Sequence, residues 1–211
     1  MSKGQAHPLV FVARHGNTKL NSIDSFRGPL DVDLDKTGWR QANALKEYLK
    51  DECFSYIFCS DKKRTVDTAN KIAEAHPDLT VQKHHGLRAF DVGFLGGQPK
   101  NEENQKLIEH YVKNPDVQIP DGESLNEFKS RVRPLIKNAV ELAINSGKPV
   151  LIVAHSSIIH EVGDMIGGHH QYTLVEPGGV ACIFVQDGEL DAAPVYRKRE
   201  EAKQPRSEII T

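Results

Sequence analysis

Two runs of five apolar residues, Leu9-Val10-Phe11-Val12-Ala13 and Val150-Leu151-Ile152-Val153-Ala154, constrain the fold of this chain more than any other feature. Neither alternates with polar residues, so each predicts a strand covered on both faces, as inner strands of parallel sheets are. Each run then breaks into polar chemistry, Arg14-His15-Gly16 after the first and His155-Ser156-Ser157 after the second. Open α/β sheets bind ligands beyond the carboxyl ends of their strands. Arginine offers a fork for two phosphate oxygens, and imidazole offers an uncharged nitrogen near neutral pH. The placement suits capture of a phosphate and attack on it.

The rest of the chain predicts further alternation. A Gly-, Asn- and Asp-rich loop over residues 16–34 leads to Asp35, an expected N-cap for a helix to about Leu49 with Trp39, Ala42, Leu45 and Leu49 on its inner face. Phe54 to Cys59 predicts a strand, and Ser60 or Asp61 is the expected cap of a helix to about Ala75. Thr80 to His84 predicts a third strand, and residues 86–122 an excursion with one helix around Asn101–Val112. From Glu123 to about Ile144, Leu125, Phe128, Val132, Leu135, Ala139 and Leu142 form one helical stripe, with a kink expected at Pro134. A short helix over residues 157–166 and a last strand Ala181–Gln186 complete the expectation. Strands alternating with helices imply a doubly wound α/β fold, a mainly parallel sheet with helices on both faces.

At 211 residues, one well-filled domain is expected over residues 1–196, followed by a charged and mobile tail from Arg197. Lys plus Arg is 27 against 29 acidic residues, so no global basic field points to nucleic acid. Cys53, Cys59 and Cys182 form no paired spacing, which fits a reducing compartment. Residues 1–8 lack the apolar stretch of a secretory signal, and nothing approaches eighteen consecutive apolar residues. A cytoplasmic protein that binds neither membrane nor nucleic acid is expected.

The segments Val-Ala-Arg-His-Gly-Asn-Thr (12–18), Ser-Asp-Lys-Lys-Arg-Thr-Val-Asp-Thr-Ala (60–69) and Val-Ala-His-Ser (153–156) occur in an informative order, joined by Leu34–Ala42 and Pro-Asp-Gly-Glu-Ser (120–124). In these segments the chain resembles the histidine phosphatase superfamily, the group of phosphoglycerate mutases and fructose-2,6-bisphosphatases, over roughly residues 8–186. The resemblance implies a phosphoglycerate mutase-like fold in which His15 becomes phosphohistidine. It also implies that Arg14, Arg64 and His155 hold the phosphoryl oxygens, with Asn21 and Thr18 helping. Arg27 and Ser156 are candidates for contact with substrate. Such a box needs no metal, and no cofactor is expected. His84-His85 and His169-His170 lack metal-site spacing.

One position departs from the family. Where a glutamate two residues after a leucine serves as general acid, Leu87-Arg88 is followed by Ala89. Asp91 and Glu123 are the candidate replacements, although Asp91 also reads as a turn carboxylate. Otherwise the substrate has a good leaving group, such as an aryl phosphate, phosphoanhydride or phosphohistidine. The functional expectation is a phosphatase acting on a small phosphorylated molecule or phosphoprotein. The alternatives are a phosphoglycerate-type mutase, or a weak or inactive phosphate-binding regulator. The modest excursion, with Lys100, Lys106 and Lys113 but no arginine pair, favours the phosphatase over the mutase.

Overall fold

A computed structural model describes residues 7–23, 25–28, 30–166 and 175–198. The apolar runs form β1 (His7–Arg14) and β4 (Val150–Ala154). With β2 (Tyr56–Ser60), β3 (Val81–His84), β5 (Val175–Gln186) and β6 (Glu189–Lys198) they build one sheet in the order β3-β2-β4-β1-β5-β6. The pairs β3-β2, β2-β4 and β4-β1 are parallel, whereas β5 and β6 extend the sheet antiparallel. Because β1, β4 and β2 are adjacent and parallel, their carboxyl ends share one edge. Arg14 lies beside Ala154, and Cys59 beside Val153.

Successive strand side chains point to opposite faces. Phe11, Ala13, Leu151 and Val153 therefore pack with Leu45 and Leu49 of α1 (Lys36–Leu49) and with Ala69 and Ile72 of α2 (Lys63–Ala73). Val10, Val12 and Ile152 pack on the opposite face against α4 (Leu125–Ser146) and α5 (Ser156–Ile166). That second core also takes in Phe90, Val92 and Leu95 of the excursion, and Ile108 of α3 (Glu102–Lys113). The doubly wound expectation holds. Each fully buried Val, Leu or Ile contributes about 1.5–3 kcal/mol of burial.

Several local expectations are corrected. Trp39 is 41% exposed, and α1 buries Gly38 and Gln41 beside Ala42, Leu45 and Leu49. The reason is the close approach of the first turn to the loop after β1. Neither Ser60 nor Asp61 caps α2, whose N-cap is Lys62 with no side-chain bond. On α4 the buried stripe is Leu125, Phe128, Val132, Ile136, Ala139 and Ala143, leaving Leu135 and Leu142 only partly covered. After Val132 the stripe advances in steps of four, then three, then four.

The start of α4 is Ser124, whose Oγ accepts the Glu127 N–H at 3.1 Å while Glu127 accepts the Ser124 N–H at 2.7 Å. The helix runs through Pro134, on its exposed side, and ends at Gly147 with φ 65. Strand β6 runs two residues into the charged tail expected from Arg197. Pro194 and the charged residues around it hid this strand, as befits a sheet edge. The remainder of that tail and the His169-His170 pair lie outside the described residues.

Candidate active site

Four segments meet at the shared strand edge, and the turn after β1 is held from three sides. The His15 N–H donates to the Ala154 carbonyl at 3.0 Å, and Gly178 N–H donates to the His15 carbonyl at 3.1 Å. The Gly16 N–H donates to Thr68 Oγ1 at 3.2 Å, and that hydroxyl donates to the Arg64 carbonyl at 2.7 Å. The Asn17 N–H donates to Gln41 Oε1 at 2.6 Å. Asp35 accepts from Asn17 Nδ2 at 2.7 Å and, as N-cap of α1, from Gly38 N–H at 2.8 Å. These contacts need α1 against the loop, and only glycine permits it. A Cβ on Gly16 would lie 2.5 Å from the Gly38 carbonyl oxygen, and one on Gly38 would lie 2.1 Å from the Asn17 oxygen.

The resulting geometry specifies the state of His15. Its Nδ1 lies 2.7 Å from the Gly16 carbonyl oxygen, which can only accept, so the ring proton resides on Nδ1. Nε2 is then a bare lone pair, and it accepts Arg64 Nε–H at 3.2 Å. Burial, then the Arg64 and Arg14 guanidinium groups, hold the His15 pKa well below its usual value. The ring is neutral at physiological pH, with its nucleophilic nitrogen facing the guanidinium.

His155 stands opposite, its ring centroid 5.3 Å from that of His15. Its Nδ1 takes Arg64 Nη2–H at 3.3 Å, so in the neutral ring Nε2–H donates to Ser60 Oγ at 3.0 Å. Burial and then Arg64 push its pKa well below the usual value too. Arg64 is 3% exposed, and its Nη1 donates to the Leu30 carbonyl at 2.6 Å. Burial lowers its own pKa to about 10, which leaves it charged. One guanidinium thus spans both imidazoles, and a phosphate entering between them offers oxygens to all three.

His15, Arg64, His155, Arg27 and Ser156 line one cleft together with Phe26, Gly28, Ala89, Phe90 and Val92, enclosing about 400 Å³ with its open mouth included. Ser156 is the first residue of α5, so the positive end of that helix also faces the cleft. Arg14, at the end of β1, is not among the lining residues; its Nη1 donates to the Val175 carbonyl at 2.9 Å, and its charge acts on His15. Thr18 and Asn21 do not line the cleft. The Asn21 carboxamide oxygen instead accepts the Thr18 N–H at 2.8 Å and the Thr18 hydroxyl at 2.7 Å, closing the turn beside His15.

Asp91 and Glu123 are not brought to the cleft lining. Asp91 Oδ1 accepts the Gly93 N–H at 3.0 Å, as a turn carboxylate does. Glu123 accepts Arg131 Nε at 2.8 Å and Nη2 at 2.5 Å, and it also accepts the Asp91 N–H at 2.9 Å. Arg131 in turn donates to the carbonyls of Gly86, Arg88 and Ala89, each at 2.9 Å. Glu123 and Arg131 therefore clamp the segment that carries Ala89 into the cleft. Ser157 Oγ assists by accepting the Phe90 N–H at 3.1 Å.

Sequence reading missed these supports: Gln41, Ser60, Thr68, Arg131 and Ser157. The first three lie inside segments 34–42 and 60–69, whose match to the family was the available signal. Arg131 had none, because it acts on backbone carbonyls forty residues away. Among the described residues, no three His, Cys, Asp or Glu side chains converge as a metal site requires.

The profile of the histidine phosphatase superfamily (branch 1) matches residues 10–174. The chain is 31% identical over 147 residues to the probable phosphoglycerate mutase GpmB of Yersinia pestis (strain Pestoides F), covering 68% of this chain and 67% of that one. Its fold is similar to phosphoglycerate mutase from Bacillus anthracis str. Sterne, with TM-score 0.74 and 24% identity over 90% of this chain and 93% of that one. It is also similar to the mycobacterial glucosyl-3-phosphoglycerate phosphatase, with TM-score 0.71 and 23% identity over 93% of this chain and all of that one. At these identities the two structures speak for the fold alone. With the family profile spanning most of β1, all of β2, β3 and β4, and the His15 and His155 turns, the chain belongs to branch 1 of the histidine phosphatase superfamily.

Proposed function

We propose that the protein is a phosphatase that works through a phosphohistidine on His15. The observation that carries this reading is the bare Nε2 of a neutral, buried His15, placed against Arg64 by a proton fixed on Nδ1. Phosphoryl transfer asks for positioning and charge neutralisation more than for covalent chemistry, and a covalent intermediate divides it into two easier steps. In the first step Nε2 bonds to phosphorus as the ester P–O bond breaks. The ring becomes cationic, and the Gly16 carbonyl on Nδ1–H stabilises that charge. Arg64, Arg14 and His155 take the phosphoryl oxygens, with Arg64 exchanging its bonds to two rings for bonds to the phosphate. In the second step water attacks phosphorus and the P–N electron pair returns to Nε2.

The lysines of the excursion favour hydrolysis over mutase chemistry. Lys106 and Lys113 are exposed and paired with Glu102 and Glu109 of their own helix, away from the cleft. Lys100 lies 5.7 Å from the Phe26 ring, leaving it the nearest of the three. A mutase needs a second anion clamp, and these residues do not assemble one. The substrate is a small phosphorylated molecule or a phosphoprotein, and no metal takes part.

The test is a rapid quench with phosphate-labelled p-nitrophenyl phosphate in the presence of chelator. Acid-labile, base-stable label on His15, absent from His15→Ala, is the expected result. Turnover with no label at that position overturns the reading. Label passed between two sugar acids instead of to water marks the mutase.

A further inference from the structure

No carboxylate lines the cleft among the described residues, and the excursion contributes Ala89 to its lining. The two candidate replacement carboxylates are engaged elsewhere, Asp91 with Gly93 N–H and Glu123 with Arg131. Of the groups that do line it, two are guanidinium ions and two are imidazoles held neutral. A leaving oxygen in this cleft therefore meets no side chain charged with delivering its proton.

The wall around that oxygen is apolar. Phe26, Ala89, Phe90 and Val92 line it beside Gly28, with Arg27 and Arg64 the cations among the lining residues. Gly28 has φ 52 and brings its segment close to Val92, which joins the two sides of the wall. Leu30, whose carbonyl holds Arg64, is 44% exposed, and Phe94, two residues beyond Val92, is 42% exposed. A polyphosphate would carry further charges into this lining, with little there to meet them. A flat apolar body would bury well.

We infer, building on the phosphatase reading, that the substrates are aryl phosphates, whose ring packs on Phe26, Ala89, Phe90 and Val92 and whose oxygen departs unprotonated. The His15 Nε2–P bond forms as the P–O(aryl) bond breaks. The electron pair leaves with the aryloxide, which takes its proton from water outside the cleft. Water then attacks the phosphohistidine and its proton passes to a phosphoryl oxygen, since no carboxylate is there to accept it. This second step is slow, so product appears in a stoichiometric burst.

The experiment is a leaving-group series measured as kcat/KM, which reports P–O cleavage. Substituted phenyl phosphates, glycerol phosphate and pyrophosphate are compared for the native chain and for Ala89→Glu. General acid catalysis is worth about 10²–10⁴-fold. The native enzyme should therefore use glycerol phosphate about 10²–10⁴-fold less well than p-nitrophenyl phosphate, and Ala89→Glu should narrow that gap by raising the alkyl rate. The native series is decisive by itself if the variant does not fold. A gap under tenfold, as protonated His155 acting as the acid would give, overturns the inference. So does pyrophosphate outrunning phenyl phosphate. His15 labelling in the same quenched samples separates the two readings. Label with a shallow series removes only the aryl assignment, whereas missing label removes the phosphohistidine as well.

Discussion

Replacing Gly38 by alanine isolates the packing that positions the nucleophile. Gly38 is the third residue of α1, and an ordinary helical Gly→Ala change gains up to about 1 kcal/mol in propensity. Here the new Cβ would lie 2.1 Å from the Asn17 oxygen and 2.9 Å from its nitrogen. Both are backbone atoms, so no side-chain rotation relieves the clash. The first turn of α1 or the loop after β1 must retreat by about 1 Å to restore van der Waals contact. Overpacking of this kind costs about 1–3 kcal/mol, and the retreat also loosens the bond from Asn17 N–H to Gln41, 2.6 Å long. The clash outweighs the propensity gain, and a net loss of about 1–2 kcal/mol is expected. A misplacement of about 1 Å at a reacting centre costs about 10²-fold in rate. Urea unfolding and kcat/KM with p-nitrophenyl phosphate measure the two effects, with Thr37→Ala, on the exposed side of the same turn, as control. If Gly38→Ala is more stable than the native chain, or turns over unimpaired, the packing argument is refuted.

Arg64→Ala removes the group that spans both imidazoles, and loss of one such oxyanion donor costs about 2.7–4 kcal/mol, or 10²–10³ in kcat; steady-state kinetics at saturating substrate read it directly. The pH dependence of stability follows from the two buried rings. His15 and His155 stay neutral in the native state through burial and Arg64, while the unfolded chain takes up protons near pH 6.5. The unfolded state binds more protons as pH falls below that value, so stability drops by up to about 1.4 kcal/mol per pH unit for each ring. Urea midpoints measured at pH 7.5 and 5.5 should fall more steeply in the native chain than in His155→Asn. Alkylation should discriminate among the thiols, with exposed Cys53 modified and Cys59 and Cys182, whose pKa burial raises to about 12, left intact in the folded protein.

The sequence disclosed the inner sheet well, because a strand covered on both faces has no alternative to apolar residues. β1 and β4 were legible from their unbroken apolar runs, and Asp35 caps α1 where expected. What failed to show were features set by tertiary neighbours. Trp39 has the right spacing for the α1 core, but the helix is rotated so that Gly38 and Gln41 meet the His15 loop. In β6 the polar and proline residues of an edge strand have the composition of a tail. The site divides in the same way. Residues of the proposed phosphate box announce themselves by chemical type, as His15, Arg64 and His155 do. Those that support them, such as Thr68 and Arg131, bind backbone groups and leave no pattern of their own.

The clamp around Ala89 shows why alanine, where the family resemblance implies an acid, need not disturb the proposed phosphate box. The box is built on β1, β2 and β4 and their following turns, where Thr68, Gln41 and Ser60 fix it from the α1 and α2 side. The segment bearing Ala89 is anchored separately, by Arg131 through its carbonyls, by Glu123 through the Asp91 N–H and by Ser157 through the Phe90 N–H. All of those bonds are made to main-chain atoms, so the side chain at position 89 is free to change without moving the backbone that presents it. A carboxylate there would share the cleft with Phe90, Val92, Arg27 and Arg64, and the clamp, spent on main-chain groups, would give it no donor. Alanine leaves the same backbone and a more apolar wall. In the proposed mechanism, binding of phosphate and protonation of the leaving group are thus separable, with position 89 bearing on the second and the box on β1, β2 and β4 on the first.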